Sequence, residues 1–228
     1  MTSHGLPDKG QDRTIGSRLS PELFDVLFEG CPSETYHAGQ CLFMQDDPAD
    51  RVYGILAGTL EIAIFSPGGR KLVANMETRK AVIGEIAALD GGLRTATATC
   101  MTDCTLVSIS RRQMFDRIER QPRLASALIE LLCARLRFVS AELGDQALLK
   151  IEARLARRLD FLNRLIADEE GWITISQSEL AEFLGATRES VNKTLTDWRK
   201  HGLIDIRRGG IRMRNRRLLE EIGAAPDD

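Results

Sequence analysis

Two clusters of residues carry recognisable chemistry. The first holds Gly84-Glu85-Ile86-Ala87 and, after a short interval, Arg94-Thr95-Ala96. A carboxylate, a guanidinium and a hydroxyl beside a short helical stretch are the groups needed to hold a phosphorylated sugar. Arg94 and the backbone amides at the start of the stretch from Ile86 would meet the anionic phosphate, while Glu85 would accept from a ribose hydroxyl. Glu85 and Arg94 also fit an ordinary ion pair, and spacing alone leaves both roles open. No metal-ligand set and no nucleophile beside a general base is visible in this cluster, so binding is expected rather than catalysis.

The second cluster is ISQSELAEFLGATRESVNKTLTDWRKHGLI. Ser176 followed by Glu179 is a capping box that starts a helix, and Gly185 stands where that helix must end and turn. Thr187 then caps a second helix. Arg188, Glu189, Asn192 and Lys193 fall near its N-terminus on the exposed side, with Val191, Leu195 and Trp198 on the buried side. This is the grammar of a helix-turn-helix, whose second helix presents its first turns to base edges in the major groove. Arginine can donate two hydrogen bonds to guanine and glutamate can accept one from cytosine. Gln177, Ser178 and Ser190 are placed to donate to backbone phosphates. The same charges fit a solvated helix face with i,i+4 pairing, but the caps, the glycine turn and the basic segment that follows favour DNA.

Three patterns must position these clusters. From about Thr35 to Ser110 the chain alternates apolar and polar residues over short stretches broken by glycine, including a Pro67-Gly68-Gly69 turn. That predicts short antiparallel strands in a small barrel or jelly-roll-like β-roll. From about Arg111 to Ala147 the period becomes helical. Ile129, Leu132, Leu136, Val139 and Leu143 repeat as a heptad seam, and Leu124, Leu128, Leu131 and Phe138 form a second stripe. One stripe is expected to pack on the β-roll and the other on a partner, although two heptads also fit a single core. Gly144 and Asp145 interrupt the pattern, predicting a hinge from Gly144 to Lys150 before a new amphipathic helix. The final LIDIRRGGIRMRN reads as a β-hairpin wing around Gly209-Gly210. The expected class is α+β: a β-roll over 19–110, a dimerisation helix with hinge over 111–147, and a winged helix-turn-helix over 148–228.

Composition narrows the class further. The 228 residues are 43% hydrophobic and 28% charged with a net charge of −2, as in a soluble globular protein. The longest apolar run, near Ala81 to Leu89, is interrupted by Gly84 and Glu85 and is far shorter than the roughly 20 residues that span a bilayer. The polar start MTSHGLPDKGQDR reads as a leader without an apolar core, so a cytoplasmic protein without a membrane partner is expected. From Gly171 to Leu218 ten basic residues face five acidic ones, a local excess suited to phosphates. Five cysteines and three histidines show no zinc-like spacing, and neither a metal nor a redox cofactor is expected.

The G-E-I-A and R-T-A elements on a β-roll, followed by a long helix and the run R-E-S-V-N-K, resemble the CRP/FNR family of bacterial regulators, especially its cyclic-AMP receptor branch. The likeness runs from about Leu19 to Leu218. It implies a cyclic-nucleotide effector, with Gly84, Glu85, Ile86 and Ala87 in the phosphate cassette and Glu85 on the ribose 2′-hydroxyl. It also implies that Arg94 and Thr95 hold the cyclic phosphate and that Arg135 lies beside the ligand. Val139-Ser140 stand where that branch has threonine and serine near the adenine, and Thr95 is also compatible with guanine. Cyclic AMP is expected ahead of cyclic GMP. The resemblance further implies a homodimer, recognition of TGTGA-like half-sites by Arg188 and Glu189 with Lys193, double-stranded DNA as partner, and contact with RNA polymerase. The alternative is a regulator of the same superfamily that responds to no effector or senses redox state, haem or gas, for which the chain offers Cys31, Cys41 and His37.

Overall fold

The computed structural model describes residues 18–224; the polar leader and His4 lie outside them. The chain divides into two compact units. Of the described residues, one comprises 18–60, 77–95 and 99–140, and the other 61–76, 96–98 and 141–224.

The first unit opens with α1 (Pro21–Leu27), where the Ser20 hydroxyl accepts from the Leu23 amide as the helix begins. After it along the chain come β1 (Ser33–Tyr36), β2 (Cys41–Phe43), β3 (Arg51–Ala57), β4 (Leu60–Phe65), β5 (Lys71–Glu77), β6 (Val82–Ile83), α2 (Glu85–Asp90), β7 (Thr97–Cys100) and β8 (Cys104–Ser110), of which most of β4 and β5 and the start of β7 are assigned to the other unit. The strands form two four-stranded sheets with orders β1-β8-β3-β6 and β2-β7-β4-β5, the expected β-roll. The turn between β4 and β5 closes through the Ser66 and Arg70 backbones, with Gly69 at φ 75°.

Alternation decides which face of the first sheet is covered. Val52 opposite Ile109 and Gly54 opposite Val107 contribute to a core with Phe24, Leu27 and Phe28 of α1 and with Met114, Leu124, Leu128 and Leu131. Gly54 makes room for two rings: a Cβ there would lie 2.6 Å from both Phe24 and Phe28. Gly54→Ala is therefore expected to destabilise the fold by about 1–3 kcal/mol through overpacking. Thermal unfolding should read this as a fall of about 2–4 °C per kcal/mol, and an unchanged midpoint would show that the rings move aside freely.

Two helices follow. α3 (Arg111–Arg120) starts on a capping box between Ser110 and Gln113, and α4 (Arg123–Leu148) starts just after Pro122. The two stripes of α4 part company. Leu124, Leu128 and Leu131 are buried, whereas Ile129, Leu136, Val139 and Leu143 are 59–67% exposed. Leu132 and Phe138 are half-buried, and Leu132, placed by its spacing in the exposed seam, packs instead against the chain's own core. The expected break at Gly144 is corrected by the structure: α4 runs through Gly144 and Asp145 to Leu148, and the next helix begins at Ile151. A helix-interior glycine costs only about 1 kcal/mol relative to alanine, which the surrounding turns absorb, and Asp145 also pairs with Arg157 at 2.5 Å. The chain leaves helical geometry at Lys150, whose ψ is 158°.

The second unit contains α5 (Ile151–Ile166), β9 (Trp172–Thr174), α6 (Gln177–Leu184), α7 (Arg188–Lys200), β10 (Ile204–Arg207), β11 (Gly210–Met213) and α8 (Arg216–Ala224). β11 is the central strand of a three-stranded sheet, order β10-β11-β9. The turn of the wing falls on Arg208-Gly209, with Gly210 already in β11. Leu155, Leu159 and Leu162 of α5 pack in a core with Leu180, Phe183, Val191, Leu195 and Trp198. Among the described residues no helix is long and apolar enough to cross a membrane.

Candidate effector pocket and nucleic-acid interface

Gly84 caps α2 with φ 76°, in the left-handed region that glycine enters without strain. A Cβ there would collide with Arg94 Nη1, so glycine suits both the turn and the guanidinium packed on it. Glu85 and Ala87 are buried on α2, while Ile86 faces outward.

Arg94 is 3% exposed. Nη1 donates to the Gly84 carbonyl at 2.9 Å and Nη2 to the Arg51 carbonyl at 2.8 Å, and buried Nε has no hydrogen-bond partner. Glu85 is not its ion-pair partner. Instead the guanidinium lies 4.2 Å from the Phe43 ring centroid and 5.9 Å from that of Tyr53. Burial presses the guanidinium below its usual range, against the opposing influence of Tyr53, Asp50 and Glu85. A buried cation held by neutral carbonyls and rings retains most of its attraction for an anion.

Glu85 pairs with Arg135, one of the residues assigned to the ligand, reached from α4. Arg135 also meets Glu77 at 3.2 Å and donates to the Val82 carbonyl at 2.6 Å. Burial opposes the Arg135 charge, but Glu85 and Glu77 prevail and hold its affinity for the proton above the usual value. Gly84, Glu85, Arg94 and Arg135 thus share one linked site. Thr95 is exposed next to Arg94, and Val139 and Ser140 are exposed on α4. Val139 lies one turn beyond Arg135 on the same helix face. Sequence reading missed Glu77, Phe43, Tyr53 and the Arg51 carbonyl, which come from distant strands without a local motif.

The helix-turn-helix follows its local signals. Ser176 Oγ accepts from the Glu179 amide at 3.1 Å while Glu179 Oε2 accepts from the Ser176 amide at 2.7 Å. Gly185 closes α6 at φ 59°. Thr187 Oγ1 accepts from the Ser190 amide at 3.2 Å and donates to Ser190 Oγ at 2.9 Å, so its hydroxyl serves the cap. Ser178, Arg188, Glu189, Ser190, Asn192 and Lys193 are exposed, and Gln177 is half-buried.

The basic excess divides into two groups. Asp205 binds Arg212 at 2.6 Å and Arg214 at 2.7 Å, Arg216 reaches Asp160 and Glu220, and Arg217 reaches Glu221. The hydrogen bond from Arg212 is the leading cause that holds the Asp205 carboxyl below its usual range. Among the described residues Arg188, Lys193, Arg199, Lys200 and Arg208 take part in no ion pair. Trp172 lies against Arg207 at 4.2 Å and Arg212 at 4.7 Å, bracing the base of the wing.

Of the sensor candidates, Cys41 lies on β2, where its thiol donates to the Phe43 carbonyl at 3.3 Å. His37 sits in a turn closed by Gln40, with Nδ1 3.5 Å from Asp103. Burial, with Asp47 nearby, raises the Cys41 thiol above its usual range, and only a thiolate is reactive toward metals and oxidants. Among the described residues no group of three or more His, Cys, Asp or Glu could hold a metal ion.

A β-roll with this linked arginine–glutamate site, followed by a winged helix-turn-helix, defines a DNA-binding transcription regulator with a cyclic-nucleotide-binding domain. Residues 33–121 match the model of the cyclic nucleotide-binding domain, and residues 153–222 that of the Crp-like helix-turn-helix domain. The chain is 30% identical over 191 residues to a CRP-like cAMP-activated global transcriptional regulator of Mycobacterium tuberculosis, covering 82% of this chain and 85% of that one. It is 29% identical over 205 residues to the cyclic AMP receptor protein of Thermus thermophilus, covering 90% and 94%. The fold is shared with the c-di-GMP-responsive regulator CLP of Xanthomonas campestris, with a TM-score of 0.76 at 20% identity, covering 85% of this chain and 99% of that one. The chain belongs to the CRP/FNR family of transcription regulators, a family of DNA-binding proteins rather than enzymes.

Proposed function

We propose that the protein is a cytoplasmic, homodimeric regulator. Its β-roll binds a 3′,5′-cyclic nucleotide, cyclic AMP ahead of cyclic GMP, and its recognition helices read palindromic DNA with TGTGA-like half-sites. The observation that carries the effector reading is Arg94, a buried cation with an unpartnered Nε, set against Gly84 beside a glutamate already oriented by a second arginine. In this reading Arg94, Thr95 and the amides of Ile86 and Ala87 hold the cyclic phosphate. Glu85, steadied by Arg135, accepts from the ribose 2′-hydroxyl, and Val139 and Ser140 border the base. The names of the M. tuberculosis and T. thermophilus relatives support cyclic AMP. Arg188, Glu189 and Lys193 read base edges, while Gln177, Ser178 and Ser190 engage phosphates and Thr187 fixes the helix start. Bound to promoters in this way, the dimer would present a surface to RNA polymerase.

The ligand acts by binding the DNA-competent arrangement more tightly than the incompetent one. Titrating a duplex with two TGTGA half-sites at fixed salt is expected to show affinity rising on the order of tenfold or more with saturating cyclic AMP, and less with cyclic GMP. Equal affinity with and without either nucleotide would refute effector control.

A further inference from the structure

Arg94 poses a physical problem that the family resemblance does not answer: what holds an almost fully buried guanidinium in place and charged when no carboxylate pairs with it. Its two Nη groups reach only backbone carbonyls, of Gly84 and Arg51. Asp47, Asp50 and Glu85 act on it without forming an ion pair, and the groups stacked against it are aromatic. Phe43, the last residue of β2, puts its ring centroid 4.2 Å from Arg94 Cζ, within the range of a strong cation–π contact. Tyr53 on β3 stands 5.9 Å from the same carbon, with its ring 6.0 Å from that of Phe43 and inclined to it by 31°. The two rings come from separate strands and make a shelf beneath one cation.

We propose that Phe43, backed by Tyr53, is a positioning residue for effector binding: its ring face holds the Arg94 guanidinium in place without neutralising it. A carboxylate in that position would hold the arginine equally well but would cancel the charge that an anionic ligand must feel. An aliphatic side chain would leave the charge but exert no electrostatic attraction on it. The aromatic face gives both placement and an undiminished positive charge. The carbonyls of Gly84 and Arg51 fix the plane of the group, and the ring fixes its depth. This rests on the reading of Arg94 as the phosphate-binding group and adds the residue that prepares it.

Phe43 is only half-buried, so Phe43→Leu is compatible with folding, and Phe43→Tyr keeps the ring. Calorimetric titration with cyclic AMP is expected to show affinity reduced roughly fivefold to tenfold in Phe43→Leu and within about twofold of the parent protein in Phe43→Tyr. The shelf also has a signature that needs no ligand. The Arg94 Nε–H resonance, assigned by its loss in Arg94→Lys, is expected to be shifted upfield by ring current in the parent and in Phe43→Tyr, and to return toward the ordinary arginine position in Phe43→Leu. An unshifted resonance in the parent, equal affinity in Phe43→Leu, or a loss in Phe43→Tyr as large as in Phe43→Leu overturns the proposal. A parent protein that binds neither cyclic AMP nor cyclic GMP, while showing the shifted resonance, overturns the effector reading and leaves the shelf standing.

Discussion

In the proposed homodimer, placing lysine at both Leu136 and Leu143 is expected to separate the two chains and leave little affinity for palindromic DNA. Ile129, Leu136, Val139 and Leu143 form a line of exposed apolar side chains on one face of α4, while the other stripe of that helix serves the chain's own core. Burying each such side chain contributes about 1.5–3 kcal/mol, and two-fold symmetry uses every contact twice. Two lysines per chain remove four of those burials and bring like charges together across the seam. Dimer dissociation is expected to strengthen at least a thousandfold, equivalent to about 4 kcal/mol, and sedimentation at micromolar concentration should show one chain per particle. Because neither leucine is buried in the single chain, far-ultraviolet circular dichroism should be retained. A persistent dimer would move the interface elsewhere.

Arg94→Gln should cost nearly as much, at the other site. Charge-assisted hydrogen bonds contribute roughly 1.5–3 kcal/mol each, and a cyclic phosphate stands to lose at least one of them together with the long-range attraction of a buried charge. We expect cyclic AMP affinity to fall about a hundredfold in calorimetry, and the nucleotide-dependent gain in DNA affinity to vanish at concentrations that saturate the parent. Fold stability should hold or rise, because a cation that burial already disfavours is replaced by a neutral amide. A large loss of thermal stability would instead make Arg94 a structural residue, and an unchanged nucleotide affinity would remove it from the pocket.

How much of this was legible in the sequence depended on how local each determinant is. The capping box at Ser176 and Glu179, the Thr187 cap and the Gly185 turn are each completed within a few residues, and all formed as read. The two stripes of α4 were legible for the same reason, since helical spacing alone separates Leu128 from Ile129. What failed at Gly144 was a propensity argument: one glycine weakens a helix, but flanking turns and the Asp145–Arg157 pair carry it through. The site was half legible. Gly84, Glu85 and Arg94 form a local motif, but whether Glu85 and Arg94 would pair was not decidable from spacing. That was settled by Arg135, which takes Glu85 for itself, and by Phe43 and Tyr53, which occupy the space beside Arg94. These contacts depend on how strands distant in sequence are ordered in the sheets, and alternation within one strand does not encode that order.

The clearance at Gly84 also has a meaning in genetic terms. Every amino-acid change at its codon adds a Cβ to a left-handed position that already lies against the arginine. Such an allele would blind the pocket while leaving the recognition helix untouched. In a cell carrying both versions, a chain of this kind would still pair with a responsive one in the proposed dimer and draw it into a complex with only one working effector site, making the defect dominant rather than recessive.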